Sequence, residues 1–226
     1  MLDESPTGSD VSTGIAPAPP LWRGRLHQIA LFVAIPMGAV LVNAARTGSH
    51  RVAVTVYVIS LIGLLGTSAA YHRLRWTPSA RRWMRRLDHS MIFLLIAGTN
   101  TAYAMLVLEG LWRWVDLLVV WAGAIVGITL KMIKIDGFAK LGGALYIILG
   151  WIGIFTLPQA LQSSPGAPLI LVGTGGLMYT VGAIVLFRRR PDPSPRVFGY
   201  HEIWHSFVVA ACACHYVAIT LLVRAA

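Results

Sequence analysis

Long apolar runs, separated by short polar segments, occupy most of the chain. Seven such runs, each of about 20 residues, lie at about 26–45, 52–71, 88–108, 111–130, 138–157, 168–187 and 203–223. An α-helix needs about 20 mostly apolar residues to cross the hydrocarbon core of a bilayer. The pattern therefore predicts an all-α integral membrane bundle of seven transmembrane helices.

Composition supports lipid as the main solvent of this bundle. The chain of 226 residues is 56% hydrophobic and only 12% charged, whereas a soluble domain contains about 25% charged residues. Residues 1–20 differ, because they contain three acids, four prolines and no base. They lack the features of a secretory signal, and we expect a disordered tail there. Residues 21–226 then form one seven-helix domain, which leaves no room for a soluble catalytic domain.

Positive residues are unevenly distributed between alternate loops. Of the 19 lysines and arginines, 15 lie in segments 23–25, 73–86, 131–140 and 188–196, and the other four lie in the alternate segments. Lysine and arginine collect on the cytoplasmic side of membrane proteins. We therefore expect a multi-pass protein of the cell membrane with a cytoplasmic N-terminus and an external C-terminus. The net charge of +10 then reflects topology and contact with anionic lipid headgroups, and we do not expect nucleic acid as a partner.

Two pairs of polar residues are spaced four apart at predicted cytoplasmic helix ends. The stretch HEIWH contains His201 and His205, and SAAYH contains Ser68 and His72. Residues at this spacing project from one helix face about 6 Å apart. The two histidines of HEIWH therefore suit one metal ion, and His72 is a possible third ligand. Three protein ligands with one open position are typical of catalytic zinc, whereas structural zinc usually has four.

HEIWH also matches the H-E-x-x-H motif of zinc proteases, in which the glutamate is the general base. Glu202 is adjacent to His201 and can approach a metal that both histidines hold. However, the predicted bundle leaves no soluble domain that could bind an extended peptide. We therefore do not expect a protease, and we interpret Glu202 as an interfacial residue or as a helper near the site.

Asp88 is the other acid at a predicted helix end near these histidines. Ionisable residues at membrane depth are costly and are candidates for function. The alternative is that Asp88 caps the third helix and interacts with the arginines before it. With the N-terminus inside, Asp88 lies at a similar depth to His72 and to the histidines of HEIWH.

The remaining polar and small residues have ordinary interpretations. We expect His27 to be an interfacial residue of the first helix and His89 not to be a ligand. His215 is interpreted as a hydrogen-bonded core residue or a residue that lines a cavity. The G-x-x-x-G pattern of Gly123 and Gly127 predicts close helix packing, within the bundle or between subunits.

These motifs resemble the hemolysin III branch of the progestin and adipoQ receptor family. That family belongs to a superfamily of seven-helix membrane hydrolases that includes alkaline ceramidases. The resemblance covers about residues 21–223 and rests on SAAYH, on the aspartate of LDHSMIFLLIAGTNT and on HEIWHSFVVAACACH, in this order. It implies a zinc ion near the cytoplasmic face that is bound by His72, His201 and His205. It also implies that Asp88 contacts the water on the zinc and that Ser68 lies in the same cluster.

Three functions agree with such a site. The first is a zinc-dependent hydrolase of an acyl-amide or acyl-ester membrane lipid, with ceramidase-like chemistry, in which Asp88 and Ser68 are catalytic. The second is a non-enzymatic sensor or receptor in which zinc holds the helices together. The third is a pore-forming cytolysin, which rests mainly on the family's name, because the helices have few polar residues away from the site. The lipid and the oligomeric state stay open.

Overall fold

The chain folds into helices that are joined by short loops. The computed structural model describes residues 20–46, 48–135, 139–164 and 166–226. In these residues the α-helices are α1 (Arg25–Ala44), α2 (Gly48–Arg73), α3 (Pro78–Val107), α4 (Gly110–Ile133), α5 (Ala139–Gly150), α6 (Leu157–Ser163), α7 (Ala167–Arg188) and α8 (Tyr200–Ala225). A 3₁₀ helix, Ile152–Thr156, joins α5 to α6. The predicted tail lies outside the described residues except for Pro20, so its disorder stays a prediction.

Seven helical segments in the described part of the chain are long and apolar enough to span a membrane. The fifth segment, Leu141–Ser163, combines most of α5 with the 3₁₀ helix and α6. Large apolar side chains lie on the outer surface of the bundle, and Leu111, Leu118 and Phe187 are all more than two-thirds exposed. In water such a surface would drive association, but lipid solvates it. The predicted all-α bundle of seven spans is confirmed, and the chain is a multi-pass membrane protein.

The third helix begins ten residues before Asp88, earlier than the apolar run suggests. Thr77 caps it, because its side chain accepts a hydrogen bond from the Ala80 N–H, and Pro78 occupies the first turn, where its missing N–H is tolerated. The interpretation of Asp88 as the cap of this helix is therefore wrong. Hydropathy located only the lipid-facing part of α3, since its first turns are rich in arginine.

The fifth span is interrupted rather than continuous. The α-helical conformation stops at Gly150, and α6 begins with Pro158 in its first turn. Proline cannot donate a hydrogen bond inside a helix and is tolerated in a first turn, which explains why a new helix starts there. The indole N–H of Trp151 donates to the Thr180 hydroxyl on α7 at 3.0 Å. This bond connects the interruption to α7.

Helix α2 is the central element of the bundle. It packs against α1 and α3, while α8 packs against α7 and α1. The main core cluster joins Tyr57 and Leu61 of α2 with Leu41 of α1, Leu95 of α3 and Val208 of α8. Because α2 and α8 meet in this core, the last turn of α2 lies beside the first turns of α8. These two helix ends carry the histidines that were predicted as ligands.

The G-x-x-x-G pattern of α4 makes contacts inside the bundle. A Cβ atom at Gly127 would overlap the Phe93 ring of α3, and one at Gly123 would overlap the Leu149 side chain of α5. The small residues therefore let α4 approach both neighbours closely. The predicted close packing is confirmed, and it is internal to the chain.

Candidate metal centre

Three histidines from two helix ends form one cluster. His72 comes from the last turn of α2, and His201 and His205 come from the first two turns of α8. One ring nitrogen from each histidine lies within 4.8 Å of those from the other two, and the Nε2 atoms of His72 and His201 are 3.3 Å apart. His205 is 3% exposed, and its Nδ1 atom has no hydrogen-bond partner among the described residues. These side chains could hold a metal ion.

Ser68 and Asp88 lie together on the wall beside this cluster. Ser68 belongs to α2 and Asp88 to α3, and both side chains line one cavity. Ser68 is 3% exposed and the Asp88 side chain is 15% exposed. Ser68 lies one turn before His72 on α2. The i, i+4 spacing therefore places Ser68 and His72 at the same end of the bundle. The predicted polar residues of the site are thus neighbours in the fold.

The cluster opens into a cavity of about 340 Å³. His201, His205, Ser68 and Asp88 contribute to its wall at the polar end. Most of the remaining wall is apolar and comes from α3, α5, α7 and α8, with residues such as Ile92, Leu95, Ile147, Ala183, Leu186 and Val208. A mainly apolar cavity with a few convergent polar groups is typical of a ligand site.

Glu202 is part of the scaffold and not of the cavity wall. It is 0% exposed. Its Oε1 atom accepts a hydrogen bond from the Arg23 guanidinium at 2.5 Å, and its Oε2 atom accepts one from the Gly199 N–H at 2.9 Å. The interpretation of Glu202 as an interfacial residue is therefore wrong. Because Glu202 is fully buried and does not line the cavity, water in the cavity cannot reach it, which argues against the general-base role that the zinc-protease motif suggests.

His27 is the residue that sequence reasoning placed wrongly. It is 3% exposed, not interfacial, and its ring stacks on that of His205 with centroids 3.9 Å apart and planes 14° apart. It also lines the cavity. His27 lies near the start of α1, at the same predicted side of the membrane as His72 and His201. This position was the feature of the sequence that could have indicated its place in the site. No spacing within the sequence relates it to them, because α1 and α8 are far apart along the chain.

The two other buried or partly buried histidines near the cavity have different surroundings. The Nδ1 atom of His89 lies 2.9 Å from the Arg85 carbonyl oxygen, and His89 is not one of the three histidines of the cluster. The Nε2 atom of His215 lies 3.3 Å from the Val172 carbonyl oxygen, and His215 also lines the cavity. Both interpretations offered for His215 are therefore correct.

Comparison with known proteins shows the family of this chain. The family model described as "Haemolysin-III related" matches residues 18–216. The chain belongs to the hemolysin III family. It is similar to Hemolysin-3 of Bacillus cereus, with 35% identity over 191 residues that cover 83% of this chain and 84% of the relative. It is also similar to the Hemolysin-3 homolog of Bacillus subtilis (strain 168), with 30% identity over 191 residues that cover 83% and 86%.

The matched region of the hemolysin III family includes every residue of the site. Ser68, His72, Asp88, His201 and His205 all fall within residues 18–216. The family resemblance that these residues carry is therefore confirmed over most of the chain. The names of the two relatives refer to haemolysis, and these names describe the relatives.

Proposed function

We propose that this protein is a zinc-dependent hydrolase of an acyl-amide or acyl-ester lipid. One observation carries the proposal: a cluster of three imidazoles lies beside Ser68 and Asp88 at the polar end of a mainly apolar cavity. The cavity volume of about 340 Å³ is within the range of about 300–1,000 Å³ for ligand pockets. Its apolar wall suits an acyl chain, and its polar end suits the bond to be cleaved.

The three imidazoles fit a zinc ion. With Zn–N bonds of about 2.0–2.1 Å, two nitrogens of a tetrahedral site are about 3.3–3.4 Å apart. The Nε2 atoms of His72 and His201 are 3.3 Å apart, and His205 has a buried nitrogen without a partner. His72, His201 and His205 would therefore hold the ion and leave one position open. Zinc would supply a Lewis acid that polarises the acyl carbonyl and acidifies water.

Asp88 is the proton acceptor in the proposed reaction. A water oxygen forms a bond to the acyl carbon while Asp88 takes a proton from that water. The bond from the acyl carbon to nitrogen or oxygen then breaks, and Asp88 returns the proton to the leaving group. Ser68 lines the same cavity and would donate its hydroxyl hydrogen to the Asp88 carboxylate, which would keep one carboxylate oxygen directed at the cavity. Positioned general bases of this kind contribute about 10²–10⁴-fold to rate.

We propose that this site faces the cytoplasm. The three histidines lie at the same end of the bundle as the arginine-rich first turns of α3 and the segment before α8. These segments belong to the loops that hold most of the lysines and arginines. Because such residues stay on the cytoplasmic side, water for hydrolysis comes from the cytosol.

Zinc that only stabilises the fold is the second candidate function. His72 lies on α2, and the other two histidines lie on α8, so one ion would connect helices that are far apart in sequence. A sensor or receptor would need no turnover from this arrangement. The names of the relatives add haemolysis as a third candidate, although the apolar cavity gives a pore no continuous polar lining.

Metal content tests the site directly. The detergent-purified protein should contain about one zinc per chain, and His205→Ala should contain much less. His50→Ala is the matched control, because His50 lies at the opposite end of α2 from His72, and its zinc content should equal that of the wild type. A folded wild type that takes up no metal when zinc is supplied would remove the proposed site.

Lipid hydrolysis separates the enzyme from the structural alternative. Zinc-loaded protein is incubated with acyl-amide and acyl-ester lipids in mixed micelles, and released fatty acid is measured. We expect release by the wild type and none by His205→Ala. A zinc-loaded protein that is stabilised by the metal yet releases no fatty acid from any of these lipids would favour the sensor.

A further inference from the structure

His27 is a fourth imidazole at the proposed zinc site. It comes from the first turn of α1, whereas the three proposed ligands come from α2 and α8. Its ring lies almost parallel to that of His205, with centroids 3.9 Å apart and planes 14° apart. Ser68, Asp88, His201 and His205 line the same cavity as His27. His27 is therefore part of the wall of this site.

The stacking prevents His27 from being a fourth ligand of the same ion. A metal lies close to the plane of an imidazole that binds it, since the nitrogen lone pair is in that plane. An ion in the plane of the His205 ring would lie outside the plane of the stacked His27 ring. Its distance from the His27 nitrogens would be longer than a Zn–N bond of about 2.0–2.1 Å. With His205 as a ligand, the site therefore keeps three nitrogens and an open position.

The nitrogens of His27 have no partner within the described residues. Both Nδ1 and Nε2 are buried and make no hydrogen bond, and the side chain as a whole is 3% exposed. A buried polar group that makes no hydrogen bond is unfavourable. Stacking alone would be served as well by phenylalanine, which has no such cost. The ring nitrogens are therefore suited to a partner that enters the cavity.

We propose that His27 binds the ligand of this site. A ligand occupies the open metal position, and one ring nitrogen of His27 forms a hydrogen bond with the polar group of that ligand. For a lipid substrate this polar group is the amide or the ester. The inference rests on the proposed zinc site. His27 thus contacts the reacting end of the substrate without coordinating the metal, and its stacked ring also keeps the His205 ring in place.

Cobalt-substituted protein provides a test that needs no substrate. Cobalt(II) replaces zinc at nitrogen sites, and its visible spectrum reports the ligands. Acetohydroxamate is the probe, because it binds an open metal position and has polar atoms for a hydrogen bond. We expect His27→Phe to keep the cobalt spectrum of the wild type, since the ligands and the stacked ring remain. We expect it to weaken acetohydroxamate binding about tenfold, the usual effect of losing a hydrogen bond to a charged group.

A control and a second pair of variants complete the test. His50→Phe makes the same change at the far end of α2 and should bind cobalt and acetohydroxamate like the wild type. His27→Gln and His27→Met are similar in size, but only glutamine can hydrogen-bond. If His27→Phe does not fold, tighter acetohydroxamate binding by His27→Gln than by His27→Met supports the proposal.

Several outcomes would overturn the proposal. Equal acetohydroxamate affinity in wild type and His27→Phe would show that no ring nitrogen contacts the ligand, as would equal affinity in the glutamine and methionine variants. A changed spectrum of probe-free cobalt His27→Phe would make His27 a metal ligand instead. A wild type that binds neither cobalt nor zinc would overturn the zinc site and this inference together. Equal acetohydroxamate affinities would overturn only the role of His27 and would leave the zinc site intact.

Discussion

Two carboxylates lie near the histidine cluster, and their partners give them different roles. Glu202 is adjacent to His201 in sequence, but Arg23 and the Gly199 N–H occupy its oxygens. Asp88 lines the cavity, as Ser68 does. A group that accepts a proton from water in the cavity needs access to that water. Asp88 meets this requirement and Glu202 does not.

Replacing Asp88 separates metal binding from turnover. Asp88→Asn keeps the size of the side chain and its ability to accept a hydrogen bond from Ser68, but it removes the proton acceptor. We expect zinc content to stay at the wild-type value and turnover to fall by about 10²–10⁴-fold, measured as fatty-acid release. Ser68→Ala should reduce turnover less, because it leaves the carboxylate in place. Unchanged turnover in Asp88→Asn would remove Asp88 from the mechanism.

Asp116 is a buried acid at the other end of the bundle, away from the metal centre. It is 3% exposed, and neither carboxylate oxygen has a hydrogen-bond partner among the described residues. Burying a charge without a partner is unfavourable. We expect Asp116→Asn, which is neutral and of equal size, to keep or raise the melting temperature. Asp116→Ala should lower it through the cavity it leaves. A clear loss of stability in Asp116→Asn would mean that the carboxylate has an essential partner.

At the scale of elements, the segment before α1 holds α8 in position. The Leu21 and Trp22 N–H groups donate to the Arg196 and Val197 carbonyl oxygens at 3.1 and 3.2 Å. The Arg23 guanidinium reaches Glu202 in the first turn of α8. These contacts join the segment before α1 to the start of α8, at the helix turns that carry His201 and His205. The geometry of the proposed ligands therefore depends on residues that touch no metal.

Breaking the Arg23–Glu202 ion pair should weaken the fold. Arg23→Met keeps much of the side-chain volume but leaves the buried Glu202 without its cation, at a cost of about 2–3 kcal/mol. Arg25→Met is the matched control, because Arg25 is exposed, and it should have little effect. Thermal unfolding in detergent measures the difference, and zinc affinity should fall with stability only for Arg23→Met. Equal melting temperatures for the two variants would contradict this role of the ion pair.

At the scale of the whole molecule, the distribution of charge predicts which end faces the cytoplasm. The last helix ends at Ala225, and the loop that precedes α3 lies at the opposite end of the bundle. If the positive-inside bias determines the orientation, the C-terminus and this loop are on different sides of the membrane. The proposed site is then on the side of the α2–α3 loop.

Cysteine labelling in intact cells measures this orientation. The native Cys212 and Cys214 are first replaced by alanine. We expect Ala226→Cys to react with a membrane-impermeant maleimide in intact cells, and Ser79→Cys to react only after the membrane is opened. Both positions are exposed, so access is decided by the bilayer. The reverse pattern would place the metal centre on the external side.

The sequence by itself determined the class of fold and most of the candidate site. Seven spans followed from run length and hydropathy, because each helix must satisfy its backbone hydrogen bonds within itself in lipid. The pairs Ser68–His72 and His201–His205 followed from helical spacing, which is a local property. Motif order then identified the hemolysin III family, and the matching family model confirmed it.

Only the tertiary structure decided what lies between helices. His27 stacks on His205, and Arg23 pairs with Glu202, across 178 and 179 positions of sequence. Neither contact follows from periodicity, since periodicity states which face of a helix a residue occupies and not which helix it meets. The early start of α3 and the interruption of the fifth span were also missed, because hydropathy records lipid contact rather than backbone hydrogen bonding. Packing between distant helices therefore determines which polar residues share the cavity.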